Sequence, residues 1–137
     1  MIEVLNKQKK NRINRRKFRS LLERLSRYYG LSDPEIALGF VGTRAIKELN
    51  RKFMRKDAPT DVLSFPLGEK GADGKFYLGD IIICTPQALK QSARLSHSLE
   101  RELEYLTIHG FLHLLGFEHF KGFEEEEMKV RNIFIRG

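Results

Sequence analysis

The sequence predicts an α+β fold, one domain over residues 1–137, with a small sheet of about four strands and about five helices. Two patterns carry that prediction. Apolar positions switch between strand-like and helix-like periods in the order strand, helix, strand, helix, a strand pair, and then helices to the end. The chain also has no internal repeat, no low-complexity tract and no linker-like stretch at which two domains would part. Its 137 residues, 41% of them hydrophobic, are enough for one core.

Met1 to Asn6 reads as a short first strand. Phe18, Leu21, Leu22, Leu25 and Tyr29 then recur at helical spacing, with Gly30 as the stop. This helix is expected to bury its apolar stripe and to turn Arg16, Arg24 and Arg27 outward, with Lys17 and Arg19 on the flanks. Asp33-Pro34 is a turn, and Ile36 to Val41 a second strand. Thr43 is placed to cap a helix carrying Ile46, Leu49, Asn50 and Phe53 on one side, broken at Asp57-Ala58-Pro59. Val62 to Phe65 and Phe76 to Cys84 are two further strands, joined by a flexible loop from Gly68 to Lys75. Thr85-Pro86 is a helix start, a capping hydroxyl followed by proline at the first helical position. Helical pattern runs from there to about Ser96, restarts near Ser98 and continues to Leu115. A last helix covers roughly Glu124 to Ile135.

Composition excludes several classes. Charged residues make up 31% and mean hydropathy is −0.41, which suits a globular protein and not a disordered or membrane-embedded one. No apolar run approaches the roughly 20 residues needed to span a bilayer. The basic N-terminal stretch is not followed by the apolar segment of a secretory signal, and the opening strand and regular core stripe argue against a mitochondrial transit peptide. The lone Cys84 has no partner for a disulfide, as expected of a cytoplasmic protein, and its Ile81-Ile82-Ile83 setting reads as a buried strand. The charge is unevenly placed: residues 1–30 hold ten Lys and Arg against Glu3 and Glu23, a net of +8, while the whole chain carries +7. So concentrated a positive field favours a polyanionic partner, nucleic acid first and an anionic membrane second; the competing reading is a solvated helix face.

Three of the four histidines fall within eleven residues, His109-Gly110-Phe111-Leu112-His113-Leu114-Leu115-Gly116-Phe117-Glu118-His119. His109 and His113 are i and i+4, one face of one helix, about 5–6 Å apart at Cβ. Gly116 can end that helix with a positive φ, so the chain can return and bring His119 to the same ion. Three neutral imidazoles leave a fourth position for water, the arrangement of a catalytic zinc site, and the ion can lower the pKa of that water to about 7. Zinc is the expected ion; nickel or another divalent metal is the alternative.

The spacing equals that of metzincin proteases, His-Glu-x-x-His-x-x-Gly-x-x-His, with one difference. Gly110 stands where their glutamate acts as general base, and a residue without a side chain cannot take a proton from the water. A phosphodiester substrate asks instead for charge neutralisation at phosphate oxygens, which the excess of Arg and Lys suits better.

The histidine segment resembles the signature of the YbeY family of bacterial metal-dependent endoribonucleases. Three upstream segments extend the resemblance: Leu49-Asn50-Arg51-Lys52-Phe53-Met54-Arg55, then Pro59-Thr60-Asp61-Val62-Leu63-Ser64-Phe65-Pro66, then Leu78-Gly79-Asp80-Ile81. Ser96-His97-Ser98 followed by Glu102-Leu103 also looks like the family pattern. Similarity thus covers roughly residues 43 to 128. The resemblance implies a zincin-like fold with a small mixed sheet and a zinc ion on His109, His113 and His119. It further implies a single-strand-specific endoribonuclease acting at the 3′ end of small-subunit ribosomal RNA and in ribosome quality control, with RNA, the ribosome or small-subunit proteins as partners and no nucleotide cofactor. Phe117-Glu118 stands where Tyr-Asp is usual, and Ser96 where Gly is common. Met54 holds the position of the family's functional arginine, and Arg55 follows it as the candidate to grip a non-bridging phosphate oxygen, the competing reading being a solvated arginine at a helix end.

Other residues have simpler readings. Asp61 could orient a histidine or cap the turn after Pro59, and the second is favoured; Asp80 has the same ambiguity. His97 could join the site from the preceding helix end but reads first as structural, and the acidic run Glu124 to Glu127 could offer a carboxylate but reads first as complementing a helix dipole. No Gly-rich phosphate loop or nucleophile elbow is present. Two further functions stay open at this level: a metzincin-like peptide hydrolase, and a non-catalytic RNA-binding ribosome factor with a structural metal.

Overall fold

The computed structural model describes residues 1–117 and 122–135. Four strands, β1 (Ile2–Asn6), β2 (Glu35–Val41), β3 (Val62–Lys70) and β4 (Phe76–Cys84), form one mixed sheet in the order β1-β2-β4-β3. β1, β2 and β4 run parallel, while β3 pairs antiparallel to β4 along the sheet edge. Five helices complete the described chain: α1 (Arg15–Tyr28), α2 (Thr43–Met54), α3 (Thr85–Arg94), α4 (Leu99–Leu114) and α5 (Phe123–Phe134). The α+β expectation, with its strand and helix numbers, is borne out. Among the described residues no helix is long and apolar enough to cross a membrane.

The period-2 alternation of the strands decides which helix covers which face. Leu38 and Phe40 of β2, paired in register with Ile81 and Ile83 of β4, turn to the face covered by α1 and α4. Phe18, Leu21, Leu22 and Leu25 of α1 and Ile108, Phe111 and Leu112 of α4 meet them there, and Phe18 packs edge-on to Phe40 at 5.1 Å. The other face of the sheet carries Val41, Leu63, Ile82, Cys84 and Phe65, which pack with Ile46 and Leu49 of α2. Deleting a side chain such as Phe111, fully buried, costs about 3–5 kcal/mol. α4 is enclosed on most sides, with Glu102, Glu104 and Thr107 buried beside its apolar residues.

Several boundaries differ from expectation. Thr43 and Thr85 do not cap their helices: each is the first helical residue, because β2 and β4 stay extended up to Gly42 and Cys84, which take the capping positions without a side-chain bond. The Thr85 hydroxyl is buried with no hydrogen-bond partner among the described residues. β3 continues past Phe65 to Lys70 through an irregularity between Pro66 and Glu69, so the connecting turn shrinks to Gly71–Lys75. The basic face of α1 is less uniform than the sequence implied. Arg16 and Arg27 are exposed, but Arg24 is half-buried over the Phe134 ring and Lys17 is paired with Glu100 of α4 at 2.9 Å.

Candidate metal centre

α4 carries the first two predicted ligands one turn apart, and the structure brings them together. The Nε2 atoms of His109 and His113 are 3.2 Å apart, with ring centroids 4.7 Å apart. Two nitrogens bound to one tetrahedral ion at about 2.0–2.1 Å stand about 3.3 Å from each other, so the pair has the bite of a metal chelate. Two neutral imidazoles that pointed lone pairs at each other at this distance would repel; a cation or a proton between them removes the conflict.

The orientation of His109 has a specific cause. Its Nδ1 donates to Glu127 Oε2 at 2.6 Å, since a carboxylate can only accept. That bond places the ring proton on Nδ1 and leaves the Nε2 lone pair facing His113, which is how carboxylates behind metal-binding histidines act. Burial alone would raise the Glu127 carboxyl, but the His109 hydrogen bond, followed by charge interactions with His109 and then Arg131, outweighs it and holds the group below the usual carboxylate range. Arg131 lies 3.7 Å from Glu127 and stacks its guanidinium over Tyr105 at 4.1 Å. Phe123 closes one side, with its ring 5.1 Å from His109 and 4.8 Å from His113. Phe123, Glu127 and Arg131 are successive i+4 positions on α5, facing the i+4 row Tyr105, His109 and His113 on α4.

Glu127 is the residue of the candidate site that sequence reasoning set aside in favour of a helix-dipole role. Its acidic run has a sufficient local explanation at the start of α5, and its histidine partner is eighteen residues away in the chain. The one available signal was the 123/127/131 periodicity, which places a carboxylate between an aromatic and an arginine on a buried stripe.

The helix end is as read. Gly116 takes φ 97°, its N–H bonds the His113 carbonyl and the Phe117 N–H bonds that of Leu112, the paired bonds of a Schellman stop. His119, the third predicted ligand, lies outside the described residues, as does Glu118. Among the described residues no group of three His, Cys, Asp or Glu is placed to hold an ion.

Gly110 has a packing reason. A Cβ there would meet Ile81 Cγ2 at 2.6 Å and Ser64 Oγ at 3.2 Å, because α4 lies against β4 at this point. The position therefore faces the sheet, and a glutamate would be driven into it. Arg55 ends α2 in the left-handed conformation at φ 57°, and is exposed. No hydrogen bond or ion pair joins Arg55 to either histidine among the described residues. Asp61 accepts from the Val62 N–H at 2.8 Å and from Gln91 at 3.3 Å, so it ties the β3 turn to α3. His97 Nε2 donates to the buried Glu102 at 2.6 Å, pinning the α3–α4 junction.

Comparison with known proteins bears out the resemblance read from the histidine segment. The profile of a family described as endoribonuclease YbeY matches residues 3–135. The endoribonuclease YbeY of Oceanobacillus iheyensis is 46% identical over 114 residues, 77% of this chain and 74% of that one. That of Aquifex aeolicus is 42% identical over 124 residues, covering 90% and 82%. The solution structure of TM1509 from Thermotoga maritima superposes with a TM-score of 0.63 at 30% identity, covering 95% of this chain and 86% of that chain. A profile match over nearly the whole chain, together with relatives above 40% identity, establishes that this chain belongs to the endoribonuclease YbeY family.

Proposed function

We propose that this chain is a single-strand-specific endoribonuclease that cuts RNA at a divalent ion, zinc foremost, held by His109, His113 and His119. Within that reading it acts in the cytoplasm on ribosomal RNA, at the 3′ end of the small-subunit species, and in ribosome quality control. The observation that carries it is the 3.2 Å approach of the two Nε2 atoms with Glu127 hydrogen-bonded behind one of them, in a member of a family described as an endoribonuclease.

When bound, the ion supplies Lewis-acid charge to a phosphodiester. His109 and His113 hold their lone pairs in place, Glu127 keeps His109 in the required tautomer, and Phe123 shields both rings from water on one side. Arg55, exposed at the end of α2, is the proposed clamp for a non-bridging phosphate oxygen, a role that needs a flexible cationic arm and no contact with the ligands themselves. The packing of Gly110 against Ile81 weighs against peptide hydrolysis, because the position of the protease base is filled by the sheet.

The test is an assay of purified full-length protein for bound metal, single-stranded RNA cleavage and casein digestion, with and without chelator and beside His113→Ala. The expected result is about one divalent ion per chain, with RNA cleavage lost on chelation and in the variant. Metal-free protein that folds normally, or cleavage that survives both treatments, would overturn the reading. Casein digestion with intact RNA would replace it with the peptidase.

A further inference from the structure

β1, β2 and β4 run parallel and end along one edge of the sheet, where Asn6 is level with Phe40 and Val41 with Cys84. In open parallel sheets the crevice outside the strands' carboxyl ends is where ligands collect. Here the chain leaving β1 is the segment 7–14, the chain leaving β2 is the start of α2, and between them lies a cleft of about 820 Å³. Lys7, Lys9 and Lys10 line it from one side, Thr43 and Arg44 from the other.

The loop is ordered by its own hydrogen bonds. Lys7 N–H continues the strand ladder to the Phe40 carbonyl at 2.8 Å. The Gln8 side chain donates to Asn6 Oδ1 at 2.9 Å and to the Asn11 carbonyl at 2.6 Å, and accepts from the Asn11 N–H at 2.9 Å. Gln8 is thus turned into the loop, while Lys7, Lys9 and Lys10 are exposed. A second concavity, lined by Asn11, Arg12 and Arg15, shares Gln8, Lys9 and Lys10 with the first. The two form a continuous basic track from Arg15 to Arg44.

The charge on this track is uncompensated. Outside the track Lys17, Lys47, Arg51, Lys75, Lys129 and Arg131 each face a carboxylate, while other cations such as Arg16, Arg27 and Lys90 are unpaired among the described residues but scattered. No ion pair among the described residues involves Lys7, Lys9, Lys10, Arg12, Arg15 or Arg44. The one carboxylate lining the cleft, Glu48, is held by Arg51 and kept below its ordinary range chiefly by that hydrogen bond. The first turn of α2 adds to the field: it contains no acid, and no side chain caps its amides. None of the large exposed apolar side chains lines either concavity, which separates the surface from one that inserts into lipid.

We propose that this edge is a second RNA-contact surface, separate from the histidines, on which the phosphate backbone of a single strand lies along the 7–15 segment and enters the cleft beside α2. A lone phosphate would need one focus of charge; two joined concavities with six cations fit a polymer of repeating phosphates. The contact reads charge and not sequence, since the track offers cations and no aromatic platform for bases. It rests on the reading that RNA is the substrate.

The test is binding of a labelled single-stranded oligoribonucleotide to the chelated full-length protein, followed by anisotropy across a salt series. Lys7→Gln/Lys9→Gln/Lys10→Gln with Arg44→Gln is compared with Arg16→Gln/Arg27→Gln on the exposed face of α1. Each lost phosphate contact removes about 0.7 from the slope of log K against log salt. The cleft variant is therefore expected to flatten the slope by about 2–3 units and to bind at least tenfold more weakly at low salt, the α1 variant by much less, both with unchanged thermal midpoints. An unchanged slope in the cleft variant, while the wild type still binds and cleaves RNA, overturns this surface alone. Wild-type protein that neither binds nor cleaves RNA overturns the functional reading beneath it. Binding to anionic phospholipid vesicles that falls as far in the cleft variant, with RNA binding unmoved, would assign the track to a membrane instead.

Discussion

At the scale of single residues, the centre depends on how histidines are aimed more than on their number. His109 has two ring nitrogens, and only a proton on Nδ1, held by Glu127, leaves the other free to act as the proposed ligand. Glu127→Ala removes the acceptor and frees the ring to rotate or exchange tautomers. Zinc affinity, measured by competition with a chromophoric chelator, should fall about 10–100-fold. Glu127→Gln keeps a carbonyl oxygen for the Nδ1–H and should lose less. Equal affinity in the wild type and the alanine variant would make the hydrogen bond incidental. The i,i+4 histidine pair was legible in the sequence because helical spacing fixes the distance between neighbours on one face. Glu127 was not, because its partner sits on another helix and the contact exists only once α4 and α5 pack.

At the scale of elements, the α3–α4 junction shows how a helix end is set by one dihedral. Ser96 stands at φ 57°, its N–H bonds the Ala93 carbonyl, and the His97 N–H bonds that of Ser92. These are the paired bonds that Gly116 makes at the end of α4, made here by a residue with a Cβ. Ser96→Gly should remove the left-handed strain, at some entropic cost in the unfolded chain, for a net gain of about 0.5–1 kcal/mol in urea unfolding. A loss of stability would mean that the serine side chain holds the junction in another way. The same junction explains why the sequence reading overran: the apolar pattern continues to Leu95, but the backbone has already left the helix at Arg94. The Thr43 and Thr85 caps were misread for a related reason. In a parallel sheet the strand can pass into the helix with one extended residue between, as at Gly42, or directly, as at Cys84, so the hydroxyl that looked like a cap becomes the first helical position. Element identities followed from periodicity, but strand order, direction and the length of β3 depend on pairings that no local pattern records.

At the scale of the whole molecule, α5 joins the candidate metal centre to the rest of the fold, and its attachment should respond to acid. The Tyr29 hydroxyl at the end of α1 donates to Glu126 of α5, Tyr28 packs edge-on to Phe134 at 5.5 Å, and Arg24 covers the same ring. The hydrogen bond from Tyr29 is the largest cause of the lowered Glu126 carboxyl, with burial opposing it and Lys129 assisting. A carboxylate whose folded pKa lies below its unfolded value contributes stability that is present above the unfolded value, about 4.3, and is lost as pH falls through the folded one. Glu104 acts in the opposite sense. Burial is the largest cause of its raised pKa, only partly offset by Lys17, so its contribution is full below the unfolded value and is lost as pH rises through the folded one. Glu126→Gln should therefore flatten the fall in stability between about pH 5 and pH 3, because part of what acid removes has already gone. Glu104→Gln should steepen the same fall and stabilise the protein at pH 7 relative to pH 3, because it deletes a group that favours the folded state only when protonated. Urea unfolding of the two variants across that range reads both signs in one series. Parallel pH profiles for both would show that neither carboxyl changes its proton affinity on folding, and the coupling of α5 to α1 would then rest on its aromatic contacts alone.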